Sequence, residues 1–174
     1  MFVLGVDPGV SRCGYGCVER SGGRLRAVAG GVITTSPEER LPVRLGQLAA
    51  ELEELMAELD PDVVAVERVF FQTNARTAMS VGQASGLALA AAARAGRTVV
   101  EYTANEVKQS VAGYGAADKR QVQEMVKLLL DLPVVPSPPD AADALALAIC
   151  HATVAPLLER VGLAEARAAL GRRA

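Results

Sequence analysis

Four carboxylic acids stand at positions where a charged side chain is costly in a folded protein. Asp7 and Glu67 each end a short apolar run, and Asp140 and Asp143 lie three residues apart in an alanine-rich segment. On a helix, that spacing puts both side chains on one face. Buried charges are costly unless they are paired or bind a metal ion, and no basic residue lies within one helical turn of Asp143.

Acids grouped without bases are typical of a site for a hard cation such as Mg²⁺, which prefers oxygen ligands. Two such ions about 4 Å apart would stabilise both the attacking and the leaving oxygen of a phosphoryl displacement. The pattern therefore predicts metal-assisted phosphoryl chemistry. Structural Ca²⁺ is an alternative, although it does not account for the basic segment described below.

Three of the acids also have purely structural interpretations. Asp7 precedes a Pro-Gly turn and suits a turn position, Glu67 can pair with Arg68 or another base, and Asp140 suits the first turn of a helix. Asp143 is the hardest to explain in this way, because its helix is apolar on nearly every side and is expected to be buried.

Charge is distributed unevenly along a chain whose net charge is only −2. Residues 36–67 hold nine acids and two bases, whereas residues 68–127 hold eight bases and four acids, including every lysine of the chain. The weak net charge argues against a general polyanion binder. One basic pole can nevertheless meet phosphates while the acidic pole stays in water; compositional drift is the competing explanation.

Composition limits the class of protein. The 174 residues, 51% of them hydrophobic, predict one globular domain over residues 1–158, followed by a tail over 159–174 that is either a frayed helix or disordered. The three cysteines lack metal-ligand spacing and are expected to be reduced thiols. No apolar run approaches the roughly 20 residues of a membrane span, and the first residues do not resemble a signal peptide. We therefore expect a cytoplasmic protein with no membrane association.

The elements that must position the acids follow from hydrophobic periodicity and turn residues. The pattern favours an α/β fold: three meandering strands, then alternating helices and strands, giving a five-stranded mixed sheet flanked by helices on both faces. If the strands that end at Asp7 and Glu67 are parallel neighbours, both acids lie at the same edge of the sheet. Predicted strands cover 2–6, 14–20, 25–34, 62–66 and 98–102, and predicted helices cover 37–59, 74–93, 105–112, 119–130 and 138–158, the first with Ser36 as its N-cap.

Two glycines, Gly82 and Gly86, lie one turn apart within the predicted helix 74–93. Each costs about 1 kcal/mol inside a helix, so another backbone is expected to pack closely against them. That backbone belongs either to the same chain or to a second copy across a dimer seam.

Four segments of the chain form a collinear set of motifs: Gly5-Val6-Asp7-Pro8-Gly9, Val66-Glu67-Arg68-Val69-Phe70, Val107-Lys108-Gln109 and Asp140-Ala141-Ala142-Asp143-Ala144-Leu145-Ala146. Together they resemble the RuvC family of Holliday junction resolvases. The resemblance implies a ribonuclease H-like fold, a homodimer, and Mg²⁺-dependent symmetric nicking of two opposed strands of a four-way junction, in recombination and repair. The nicks would carry 5′-phosphate and 3′-hydroxyl ends.

The resemblance also assigns roles to residues. It implies that the four acids together hold two Mg²⁺ ions per active site, with Mn²⁺ as a substitute. Phe70 matches an aromatic residue that stacks on an unpaired base, and Lys108 and Lys119 match positions that contact DNA near the cut. A branch-migration complex, RuvAB, is an implied partner. The roles of Arg68 and His151 stay open, with His151 interpreted as a core residue or a support for the site.

Two other classes of protein share part of this pattern. A sugar-kinase or actin-like nucleotide-binding protein begins with a similar strand and acid, but it needs two lobes and this chain is too short for them. A non-catalytic junction-binding scaffold fits the basic segment, but it has no need of four acids. The nuclease interpretation accounts for both the acids and the bases.

Overall fold

The computed structural model describes the backbone of residues 1–68 and 75–171 and the side chains of residues 1–68 and 78–157. Strands and helices alternate as an α/β fold. The strands are β1 (Phe2–Asp7), β2 (Arg12–Ser21), β3 (Arg24–Thr34), β4 (Val63–Glu67) and β5 (Thr98–Tyr102). The helices are α1 (Leu41–Leu59), α2 (Ala75–Arg94), α3 (Ala104–Ala112), α4 (Lys119–Leu129) and α5 (Pro139–Gly171).

The described strands form one mixed sheet in the order β3-β2-β1-β4-β5. The meander β1-β2-β3 is antiparallel, whereas β4 lies parallel to β1 and β5 lies parallel to β4. Helices α1 and α2 cover one face, and α3, α4 and α5 cover the other. The predicted five-stranded mixed sheet with helices on both faces is confirmed, and β1 and β4 are the parallel neighbours that the site requires.

The pleat of the strands decides which face each acid joins. Leu4 packs in the core cluster with α1 and α2, whereas Val3 packs in the cluster with α5. Because side chains alternate between faces, Asp7 shares the α5 face with Val3. In β4, Ala65 belongs to the α5 cluster, so Glu67 lies on that face as well. Both acids therefore point to the side of the sheet where α5 runs.

Helix α5 lies directly on the backbone of β1 and β2. A Cβ atom added to Gly5 would lie 1.9 Å from the carbonyl oxygen of Ala144, and one added to Gly14 would lie 2.2 Å from the carbonyl oxygen of Asp140. Gly14 is also the residue opposite Asp7 in the β1-β2 register. Because Gly5 and Gly14 have no side chains, the first turn of α5 can lie beside the end of β1.

Helix α1 begins at Leu41 rather than at the predicted Pro37, and Ser36 is not its N-cap. Residues 36–39 form a turn, in which the amide of Glu39 donates to the carbonyl oxygen of Ser36 at 3.2 Å. A helix starting at Pro37 would place Pro42 in its interior, where proline lacks an amide donor and clashes with the preceding turn. Pro42 instead lies in the first turn, after Arg40 as the N-cap.

Gly82 and Gly86 do not serve close packing within the part of the chain that the structure describes. A Cβ atom added at either position would meet nothing within 4 Å, and both residues are exposed. The expectation of an intramolecular contact is wrong, because α2 packs on the sheet through another face, which contains Ala84 and Ala88. The dimer seam stays a prediction.

Helix α5 continues to Gly171, so the backbone of the predicted tail is helical up to that residue. The division into a 1–158 domain and a 159–174 tail stays a prediction. The segment Pro139–Leu157 has the length and apolar composition of a membrane span, but 67% of it is buried inside the domain. It is the central helix of the α5-side core, and its apolar character is explained by that packing.

Substituting Gly5 with alanine tests the contact between β1 and α5. The new methyl group collides with helix backbone, which cannot rotate away, so we expect the free energy of unfolding to fall by roughly 1–3 kcal/mol or more. Gly46→Ala is the matched control, since this exposed glycine of α1 has nothing within 4 Å and alanine favours helix by about 1 kcal/mol. Urea unfolding of both variants measures the difference; equal stability of Gly5→Ala and the parent chain would contradict this packing.

Candidate active site

Acidic side chains from three elements converge at one edge of the sheet. Asp7 and Glu67 follow Val6 and Val66, which are directly paired in the parallel β1-β4 ladder. Asp143 approaches from the first turns of α5. These three acids line a cavity of about 300 Å³, together with two lysines and the apolar residues of α3, α4 and α5; its lining includes Asp7, Glu67, Lys108, Lys119 and Asp143.

The environment of Asp7 and Glu67 raises the pKa of both acids. Burial, the nearby charge of Glu67 and then that of Asp143 raise the pKa of Asp7 to about 7. Burial also raises the pKa of Glu67, while its hydrogen bond with Asp7 acts in the opposite direction. The carboxyl group of Asp7 therefore donates to the carboxylate of Glu67. Two carboxylates this close cannot both ionise without a compensating positive charge.

The other two acids are each paired with a base from a distant part of the chain. The Arg12 guanidinium donates to Asp140 Oδ2 from Nη2 at 2.8 Å and from Nε at 3.1 Å, and this contact lowers the pKa of Asp140. The ammonium of Lys119 donates to Asp143 Oδ2 at 2.6 Å. The expectation of acids without bases is thus wrong, because the partners come from β2 and α4 rather than from the same helix.

Lys119 occupies the electrostatic centre of the cluster. Its hydrogen bond to Asp143 raises its own pKa, with further contributions from the charges of Asp7 and Asp140, and its charge also acts on Glu67. One ammonium group is therefore already paired with one of the three acids that line the cavity. Among the described residues, no three potential ligands are spaced to hold a metal ion as they stand.

The donor chemistry of the cluster fits a hard divalent cation. All four acids supply oxygen only, which is the ligand type of Mg²⁺ and Mn²⁺. The raised pKa values of Asp7 and Glu67 and the two ion pairs reflect the crowding of negative charge at this edge of the sheet. Asp7, Glu67 and Asp143 line the cavity and could hold such an ion there, whereas Asp140 does not line it.

The remaining predicted site residues have different outcomes. Lys108 lines the cavity beside Lys119, whereas Phe70 lies outside the described residues. His151 is buried, and its Nδ1 lies 2.7 Å from the hydroxyl of Tyr102, which matches the expectation of a core residue. Arg68 donates from its backbone amide to the carbonyl oxygen of Tyr102 at 2.8 Å, extending the β4-β5 pairing.

Arg12 is the site residue that sequence reasoning missed. It begins β2 and reaches an acid 128 residues away. No spacing rule connects the two positions, because their proximity arises only when Gly14 lets α5 settle on β2. The alternation of side chains along β1 and β2 was the available signal for which residues face α5. It identifies Arg12 as a partner of Asp140 only once the position of α5 is known.

Asp7→Asn should raise the stability of the metal-free protein at neutral and higher pH. Asp7 keeps its proton up to about pH 7 when folded but only to about 3.8 when unfolded, so stability falls as pH rises from about 4 to 7 and stays reduced above that. Asparagine is neutral throughout, so the gain reaches up to about 4 kcal/mol at pH 8 and vanishes near pH 4. Urea unfolding in EDTA at both pH values measures it.

Asp140→Asn is the matched contrast for that experiment. The pKa of Asp140 is lowered, chiefly by Arg12, so its charged form contributes stability above its ordinary pKa, and that contribution is lost as pH falls. The variant should therefore be no more stable than the parent chain at pH 8. A gain in Asp140→Asn equal to that in Asp7→Asn would contradict the assignment of the trapped proton to Asp7.

Comparison with known proteins identifies the family. The family described as crossover junction endodeoxyribonuclease RuvC matches residues 3–151. The protein of that name from Chloroflexus aggregans is 55% identical over 163 residues, which are 94% of this chain and 99% of the relative. The one from Rubrobacter xylanophilus is 51% identical over 166 residues, 95% of this chain and 93% of the relative.

Solved structures agree with the sequence comparison. Thermus thermophilus RuvC in complex with Holliday junction substrate superposes with a TM-score of 0.86 at 40% identity, over 90% of this chain and 96% of that one. The yeast mitochondrial Holliday junction resolvase Ydc2, at 16% identity and a TM-score of 0.66, covers 91% of this chain and 82% of its own and shares the fold alone. The predicted ribonuclease H-like fold is confirmed. The chain belongs to the RuvC family of crossover junction endodeoxyribonucleases.

Proposed function

We propose that this protein is a structure-selective endodeoxyribonuclease that resolves Holliday junctions in homologous recombination and DNA repair. It nicks two opposed strands symmetrically and leaves 5′-phosphate and 3′-hydroxyl ends. The observation that carries the proposal is the convergence of acids from β1, β4 and α5 on one cavity that also contains Lys108 and Lys119, in a chain of the RuvC family.

Asp7, Glu67, Asp140 and Asp143 hold Mg²⁺, two ions in each active site, with Mn²⁺ as a working substitute. When bound, the metal supplies activation of the attacking water and charge stabilisation of the leaving 3′ oxygen. The chain's own groups prepare the site. Asp7 must release its proton, and the two ion pairs must open, before all four carboxylates are available as ligands.

Two lysines and one aromatic residue bind the DNA strand in this proposal. Lys108 and Lys119 lie in the cavity wall, where an ammonium group offsets the charge of a scissile phosphate. When Lys119 turns from Asp143 to the phosphate, that acid becomes available. Phe70 stacks on an unpaired base at the junction, an interaction worth roughly 1–3 kcal/mol per base that tolerates any sequence.

The reaction requires a pair of active sites, because a four-way junction is resolved only when two opposed strands are cut. We therefore propose a homodimer. Exposed Gly82 and Gly86, together with Met79, whose exposed fraction is 66%, give α2 a smooth apolar surface that supports the proposal. The branch-migration complex RuvAB is the proposed partner on the junction, and the three free, buried thiols suit a cytoplasmic location.

Catalysis accounts for the site better than scaffolding does. Burying Asp7 beside Glu67 raises the pKa of both acids, which lowers the stability of the metal-free fold at neutral pH. A protein that only bound junctions would gain nothing from that cost. The family match disfavours the nucleotide-binding alternative, because the family that matches residues 3–151 is one of nucleases.

Asp7→Asn should abolish cleavage while leaving junction binding intact. The substitution removes a metal-holding carboxylate but changes no basic residue, so we expect the single-turnover rate on a synthetic four-way junction in Mg²⁺ to fall by roughly 100-fold or more. A gel-shift assay in EDTA should give a dissociation constant within about twofold of the parent chain. The parent chain itself should cut in Mg²⁺ and should not cut in EDTA.

Asp131→Asn is the control variant. Asp131 is exposed, follows α4 and has a φ of 52°, a conformation that asparagine also adopts. It should cut at the parent rate. Near-parent cleavage by Asp7→Asn, or equal cutting of the junction and of a linear duplex of the same sequence by the parent chain, would contradict the proposed function.

A further inference from the structure

Arg12 is a basic residue of the site for which neither the sequence motifs nor the proposed chemistry provides a role. Arg12 is the first residue of β2, and its side chain is 48% exposed. The side chain of its partner, Asp140, is 27% exposed. The pair lies beside the cavity but does not line it. Exposed ion pairs contribute little to stability, so the contact needs another explanation than holding the fold together.

The backbone that carries Arg12 is held firmly. The amide of Thr35 donates to the carbonyl oxygen of Ser11 at 3.3 Å, and the hydroxyl of Thr35 donates to the carbonyl oxygen of Val10 at 2.6 Å. Arg44 of α1 reaches the same loop, donating to the hydroxyl oxygens of Ser11 at 2.5 Å and Thr35 at 2.9 Å. Any movement at this position therefore belongs to the Arg12 side chain.

The guanidinium is also suited to a second partner. It uses two of its N–H groups on a single carboxylate oxygen, and the same fork geometry matches a phosphate group. The contact is partly exposed and Asp140 lies one helical turn from Asp143, which lines the cavity that, under the proposed function, must receive a DNA backbone. An incoming phosphate would compete with Asp140 for the same N–H groups.

We propose that Arg12 is a positioning residue that pairs with Asp140 while DNA is absent and transfers to a backbone phosphate when the junction binds. The transfer releases Asp140 to hold metal, so that the complete set of carboxylates forms only on DNA. The inference rests on the proposed function. It makes DNA binding and metal binding mutually reinforcing, because each removes a competitor of the other.

The chain offers a closely matched control. Arg26 donates to Glu19 Oε2 from Nη2 at 2.7 Å and from Nε at 3.1 Å, nearly the geometry of the Arg12 contact. That pair lies on the β2-β3 hairpin, and its side chains are 69% and 26% exposed. Arg26→Gln thus removes an equivalent charge and an equivalent ion pair without touching the cluster of acids.

The first measurement is the affinity of the intact, DNA-free protein for Mn²⁺, read from the electron paramagnetic resonance signal of the free ion. Arg12→Gln should bind Mn²⁺ at least about threefold more tightly than the parent chain, and Arg26→Gln should match the parent. Equal affinity in all three proteins would overturn the claim that Arg12 competes with metal for Asp140.

The second measurement is the salt dependence of binding to a synthetic four-way junction in EDTA. Each lost phosphate contact lowers the slope of log Kd against log salt concentration by about one. Arg12→Gln should therefore show a slope lower by about one for each bound protomer, and Arg26→Gln should not. An unchanged slope in Arg12→Gln would overturn the transfer to phosphate.

The two variants also separate this inference from the proposed function. A parent chain that neither binds Mn²⁺ nor cuts the junction would overturn both. A parent chain that binds Mn²⁺ and cuts, compared with an Arg12→Gln variant identical to it in metal affinity and salt slope, would overturn the role of Arg12 alone.

Discussion

Repulsion between carboxylates governs how this partly buried pocket is built. Three features of the chain offset it: the pKa of Asp7 beside Glu67 is raised to about 7, Lys119 pairs with Asp143, and Arg12 pairs with Asp140. Each feature reduces the negative charge that one acid presents to its neighbours. Under the proposed function, these are the same groups that a divalent cation would have to replace.

Placing the acids together is the work of the backbone. The parallel β1-β4 pair brings Asp7 and Glu67 to the same edge, and the pleat turns both toward α5. Contact of α5 with Gly5 and Gly14 then sets the depth of the helix against the sheet. An α5 shifted outward by one side chain would carry Asp143 away from Asp7 and Glu67, with which it lines the cavity.

Much of this arrangement could be predicted from the sequence. Short apolar runs that end in an acid identified β1 and β4, and the family resemblance supplied the set of four acids. The start of α1 could not be predicted from Ser36-Pro37 alone, because Pro42 competes for the same role. The partners of Asp140 and Asp143 could not be predicted either, since Arg12 and Lys119 approach through tertiary packing that no local spacing encodes.

The two core clusters lie on opposite sides of the sheet, and this separation has a consequence for how the protein can change. Leu48, Leu52 and Ala88 pack on one side, whereas Ala144, which touches Gly5, lies on the side of the acids. Surface residues of α1 and α2 can therefore vary without disturbing the face that carries the acids, because a layer of strands separates the two sides. A substitution on one side of the sheet reaches the other side only through the strands between them.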